Sequence, residues 1–103
     1  MKRLVVYIIN VDEDLAEKAL EDSLAVITSL PFMKVKPKSM SCEPYDDARG
    51  IIAYFDYDYS TPEADASKNA SKALYNTLEE LIKAHLWNIP AVKITLESGR
   101  KPE

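Results

Sequence analysis

A two-layer α+β sandwich, with four antiparallel strands and two helices on one face, is the fold this sequence predicts. Three observations lead to it. Four short segments of strand character, one an unbroken apolar run and three alternating, accompany two stretches of helical periodicity. Their order along the chain is strand, helix, strand, strand, helix, strand. The length of 103 residues, 47% hydrophobic and 29% charged, is that of one ordinary globular domain and leaves no room for a second.

The first strand is Leu4–Val11 (LVVYIINV), an unbroken run rich in β-branched residues that suits a central strand covered on both faces. Asp12, Glu13 and Asp14 follow as an N-cap and first-turn acids matched to the helix dipole. From Leu15 to about Leu30, Ala16, Ala19, Leu20, Leu24, Ile27 and Leu30 recur at helical spacing, and Pro31 ends the helix. Met33–Cys42 reads as a second strand with Lys34, Lys36 and Lys38 on one face. Pro37, which has no N–H to donate, and the lysines both place it at a sheet edge.

The third strand spans Arg49–Tyr59, with Ile51, Ala53, Phe55, Tyr57 and Tyr59 on one face and Ile52, Tyr54, Asp56 and Asp58 on the other. Ser60-Thr61-Pro62-Glu63 has the form of a helix start: a hydroxyl cap at Ser60, proline in the first turn and glutamate three residues on. That helix is expected to reach Trp87, with Ala66, Ala70, Ala73, Leu74, Leu78, Leu81 and Ile82 inward and Trp87 stapling its end to the sheet. Ala91–Glu97 is the fourth strand, with Val92, Ile94 and Leu96 on one face. Residues 1–97 are expected to form the domain and 98–103 a mobile C-terminal tail.

The order β-α-β-β-α-β is that of the split-βαβ, or ferredoxin-like, arrangement. Right-handed crossovers then give the sheet order 4-1-3-2, both helices on one face, and the second and fourth strands at the edges.

Scarcities exclude several function classes. Cys42 is the only cysteine and His85 the only histidine, which removes internal disulfides, CxxC pairs, two-histidine metal sites and HExxH proteases. With Gly50 and Gly99 as the only glycines, neither GxGxxG nor a P-loop is present. No catalytic residue, cofactor or metal is expected. No apolar run reaches the ~18 residues of a membrane span, and no signal-peptide cleavage site follows Met1-Lys2-Arg3, so no membrane partner is expected. The lone Cys42 and the lack of targeting signals point to a reducing, cytoplasmic setting.

Val6-Tyr7-Ile8-Ile9-Asn10-Val11 resembles the first-strand motif of RNA-recognition domains, and Arg49-Gly50 resembles the opening of their third-strand motif. The positions that would carry base-stacking rings hold Ile51 and Ala53, with Asp56 and Asp58 close by. Lys+Arg total 13 against 17 Asp+Glu, a net charge of −4, which opposes binding to a phosphate backbone. The charge balance disfavours a nucleic-acid partner, and an RNA binder resembling these domains stays an alternative reading. Asp56 and Asp58 share a face and could hold a cation with Glu43, Asp46 or Asp47, but a hairpin register setting them against Lys36 and Lys38 also keeps the apolar faces together.

The sheet face away from the helices carries the functional expectation. If Leu4, Val6 and Ile8 face the helices, then Val5, Tyr7 and Ile9 lie outside beside Ile52 and Tyr54; the opposite assignment leaves Leu4, Val6 and Ile8 outside. Either way an apolar patch remains that a single helix layer does not cover. The expected binding residues are Tyr7, Ile9, Ile52 and Tyr54, and the expected partner is a second copy, with a protein or small molecule as the other occupants. Two further readings compete beside the RNA binder. One is a small dimeric α+β-barrel enzyme using Tyr7, Tyr54 or His85 in a pocket between sheet and helices. The other is an acidic inhibitor presenting Asp46, Asp47, Asp56 and Asp58 to a basic partner.

Overall fold

The computed structural model describes residues 2–45, 47 and 49–99. The elements are β1 (Lys2–Ile9), α1 (Glu13–Ser29), a 3-10 turn (Pro31–Met33), β2 (Val35–Pro44), β3 (Gly50–Tyr59), α2 (Pro62–Ala66), α3 (Lys68–His85) and β4 (Lys93–Gly99). The sheet order is β2-β3-β1-β4, every pairing is antiparallel, and α1 and α3 pack side by side on one face. Fold class, strand order and helix placement are those expected from the segment order. Residues 100–103 of the expected tail lie outside the described residues, and β4 runs two residues past Glu97 to Gly99.

Pairing settles the face that β1 left open. Leu4, Val6 and Ile8 stand opposite Phe55, Ala53 and Ile51, and all six are buried under α1 and α3. Ala16, Ala19, Leu20, Leu24 and Ile27 of α1 and Leu74, Leu78 and Ile82 of α3 close this core. The Asp12 carboxylate accepts from the Asp14 N–H at 3.1 Å, the expected N-cap.

Four local expectations are corrected. The second strand begins at Val35, because Pro31 opens a 3-10 turn closed by a 3.3 Å bond from the Lys34 N–H to the Pro31 carbonyl, which puts Lys34 at φ 59 and outside the strand. The second helix is broken. The Thr61 hydroxyl, not Ser60, caps α2 by accepting from the Ala64 N–H, and the Ser67 hydroxyl caps α3 by accepting from the Ala70 N–H. Ser60 instead donates its N–H to the Lys34 carbonyl at 2.8 Å. Serine competes with the helix for backbone groups, and Ser67 does so here. Ala66 and Ala73 are consequently exposed. Finally, Trp87 staples nothing: it is 81% exposed, and the buried Leu86 seals the helix end, its N–H donating to the Ile82 and Lys83 carbonyls.

The β2–β3 register places Lys36 opposite Asp58, then shifts between Pro37 and Ser39, so that Ser39 faces Asp56. Proline cannot donate to the ladder, and the extra residue there is Lys38, a bulge on an edge strand. The Lys38 ammonium still lies 3.5 Å from Asp58, but Asp56 is taken by Arg3. Both Lys38 and Asp58 are solvated, so a double-mutant cycle on this pair is expected to return a marginal coupling that vanishes at about 1 M salt, where the Debye length is ~3 Å. A large, salt-resistant coupling would contradict this.

Candidate functional site

On the face away from the helices, β1 presents Val5, Tyr7 and Ile9 and β3 presents Ile52, Tyr54 and Asp56. β2 adds Ser39, Ser41 and Glu43, and β4 adds Lys93, Thr95 and Glu97. The four expected binding residues come together there: Tyr7 stands opposite Ile52, with Ile9 and Tyr54 next along the same face, all half-buried. Val5 is buried between Tyr54 and Glu97, its register partners on either side.

Polar chemistry surrounds this apolar centre. The Arg3 guanidinium donates to both Asp56 oxygens, at 2.7 and 3.0 Å, and the Ser39 hydroxyl donates to Asp56 at 3.2 Å. Arg3 also lies over the Tyr54 ring, 5.4 Å from its centroid. The hydrogen bond to Asp56 and the attraction between the two charges hold the guanidinium charged, above its ordinary value. Tyr7 meets Tyr45 edge-on at 6.3 Å, and the hydrogen bond between its phenol and Glu97 raises it above the usual phenol range. The tight Arg3–Asp56 pair spans 53 positions of sequence, and no local pattern announces it.

The residues of the competing readings are scattered. His85 lies in the helix layer, while Tyr7 and Tyr54 are across the sheet, so the three share no pocket. The groove that holds His85, about 180 Å³, lies between α1 and the end of α3 and is not enclosed between sheet and helices. The His85 Nδ1 lies 2.8 Å from the Leu81 carbonyl, which can only accept, so Nδ1 carries the proton. It therefore takes no proton from the Ser23 hydroxyl 3.4 Å away, which itself donates to the Ala19 carbonyl at 2.7 Å. Burial, followed by the charges of Glu17 and Glu21, pushes the Cys42 thiol up and keeps it protonated.

Asp47 lies in the β2–β3 connection, at the end of β3 remote from Asp56 and Asp58, and Asp46 lies outside the described residues. The flat acidic surface of the inhibitor reading is thus not assembled by the described residues, and among them no three His, Cys, Asp or Glu side chains converge on a point where an ion would sit. Ile51 and Ala53 face the helices, so the two ring positions of the RNA-recognition pattern are turned away from the open face whatever side chain they carry. Among the described residues no helix is long and apolar enough to cross a membrane.

No protein-family model matches the chain, and no curated protein matches its sequence. Among solved structures it is similar to a de novo designed protein with a ferredoxin fold, determined by NMR in solution. The TM-score is 0.62 at 18% identity, covering 97% of this chain and 85% of that one. It is also similar to a monooxygenase from the gene ActVA-Orf6 of Streptomyces coelicolor in complex with nanaomycin D, with a TM-score of 0.45 at 14% identity over 99% of this chain and 90% of that one. The likeness to the designed protein shows the fold, a ferredoxin-like α+β sandwich, and at this identity nothing beyond it.

Proposed function

We propose that this chain is a non-catalytic binding or regulatory domain that acts through the open face of its sheet and pairs there with a second copy. The observation that carries the reading is the half-exposed apolar centre formed by Tyr7, Ile9, Ile52 and Tyr54 on a face that no element of the described chain covers. Size supports it. Four strands ~4.8 Å apart, each of about seven residues at ~3.3 Å, span roughly 19 by 23 Å. In projection that is about 440 Å², and side-chain relief raises the accessible area above it, toward the ~800 Å² per partner of a standard interface.

Charge supports it too. The rim carries both signs, Lys93 and Glu97 on β4 and Lys36 and Glu43 on β2, which suits a self-complementary two-fold contact. Asp56 and Arg3 are already paired within the protomer and so enter the contact as a hydrogen-bonded unit.

Ile52→Asp tests this. Each dimer would bury two carboxylates, each without a partner, so dimerisation should weaken at least about a hundredfold while circular dichroism stays native, because the helix-side core is untouched. Wild-type protein sedimenting as a clean monomer at high micromolar concentration would defeat the reading, and a small molecule or a different protein would then be the occupant to seek.

A further inference from the structure

A second feature lies on the opposite layer and is independent of the sheet face. Because α1 starts where β1 ends and α3 ends where β4 begins, the Glu13 end of α1 and the His85 end of α3 meet at one edge of the molecule. The groove between them is lined by Leu15, Lys18, Ala19, Asp22, His85 and Leu86 and measures about 180 Å³. A cavity of ~150 Å³ suffices for benzene, so this one takes a single phenyl ring.

The chain carries such a ring at its other edge. Phe32 is 72% exposed on the 3-10 turn that joins α1 to β2. The turn is held from both sides: Met33 beside it is buried, and the Met33 and Lys34 N–H groups donate to the Leu30 and Pro31 carbonyls at 3.1 and 3.3 Å. The ring is thus presented by a preorganised backbone, which lowers the ordering cost of inserting it.

We propose that copies of this chain join head to tail, the Phe32 ring of one seated between Leu15, Ala19 and Leu86 of the next. Charge favours that polarity. The Phe32 edge carries Lys34, Lys36 and Lys38, with Lys68 and Lys72 in the first turns of α3, against Asp58, Glu63 and Asp65. The groove edge carries Asp12, Glu13, Asp14 and Glu17 at the start of α1, with Glu43 and Asp47 at the β2–β3 end, against Lys18, Arg49, Lys83 and Lys93. Joining knob to groove sets the lysine-rich edge against the acidic one, whereas a two-fold pairing of groove edges would bring acid to acid. Knob and groove are different surfaces, so the contact grows a chain or closes a ring and is not satisfied by a dimer.

The test uses the Ile52→Asp chain, in which sheet-face pairing is removed. Its weight-average mass by sedimentation at low salt should rise with concentration between about 20 µM and about 1 mM, the range of a small contact. Adding Phe32→Asp, or Leu15→Glu, should leave monomer throughout, with native circular dichroism because both positions are at the surface; Phe32→Ser should do the same without a new charge. An equimolar mixture of the Phe32→Asp and Leu15→Glu chains keeps one intact groove and one intact ring, and should form a heterodimer and stop there. The proposal is overturned if the parent stays monomeric to about 1 mM, if Phe32→Asp associates as its parent does, or if the mixture remains monomeric.

Discussion

Gly50→Ala is expected to destabilise the fold by about 3 kcal/mol or more, lowering the midpoint of thermal unfolding by roughly 12 °C or more for a domain of this size. Gly50 opens β3 at φ 155, a conformation that a side chain makes strained. A Cβ there would stand 2.4 Å from the Ile8 carbonyl oxygen and 2.8 Å from the Ile9 Cα. Both are backbone atoms of the central strand and have no rotamer to move into. The neighbouring Arg49 carbonyl accepts from the Asn10 N–H at 2.8 Å, and the Gly50 carbonyl accepts from the Tyr45 N–H at 3.0 Å, so the displacement would spread to both flanking loops. It would also part Ile9 from Ile52 at the rim of the open face. Gly99→Ala is the milder contrast: the nearest atoms to its Cβ are side-chain atoms, of Val5 at 2.6 Å and Arg3 at 3.0 Å, at the end of an edge strand, so side chains and not backbone have to shift. Urea or thermal unfolding of the two variants measures the difference. A Gly50→Ala chain within about 1 kcal/mol of wild type would show that β3 yields there.

How much of this was legible in the sequence depends on the range of the interaction concerned. Periodicity carried the element order, and chirality then gave the sheet order. Period-two alternation in β3 separated Ile52 and Tyr54 from Ile51, Ala53 and Phe55. β1 was different: Leu4–Ile9 is apolar on both faces, so only its pairing with β3 shows that Tyr7 and Ile9 are outside. The break at Ser67 arises from a serine choosing to cap instead of continuing, a local contest between nearly equal alternatives. Leu86, not Trp87, continues the i+4 stripe of Leu74, Leu78 and Ile82, so the inward direction falls on Leu86 and leaves Trp87 in solvent. Alternation alone sets Asp56 against the lysines of β2, because a bulge at Lys38 leaves no mark in the sequence; Arg3, 53 positions away, pairs with it instead.

Tyr57→Phe is expected to remove a large part of the protein's alkaline instability. The Tyr57 ring is buried between Phe55, stacked at 5.3 Å, and Tyr59, edge-on at 5.5 Å. Burial, then the nearby Tyr59 and Tyr75 phenols, pushes its hydroxyl well above the ordinary value of 10.0. The sign follows from where the proton is lost. Above pH 10 the unfolded chain releases this proton and the folded chain keeps it, so the contribution is fully present below pH 10 and falls as pH rises beyond it. For this one group the folding equilibrium constant should drop by up to about tenfold per pH unit, or about a hundredfold at pH 12. Phenylalanine keeps the stacking and removes the proton, so near neutrality the variant should lie within about 1 kcal/mol of wild type. Tyr7 is raised as well, first by its hydrogen bond to Glu97, and acts in the same direction; it supplies the phenol-linked slope that Tyr57→Phe leaves behind. Urea unfolding of both chains at pH 8, 10, 11 and 12 should show curves that meet at low pH and diverge in the variant's favour above 10. Curves running parallel from pH 10 upward would mean that the folded chain ionises Tyr57 as readily as the unfolded one does, and the packing of that phenol would have to be redrawn.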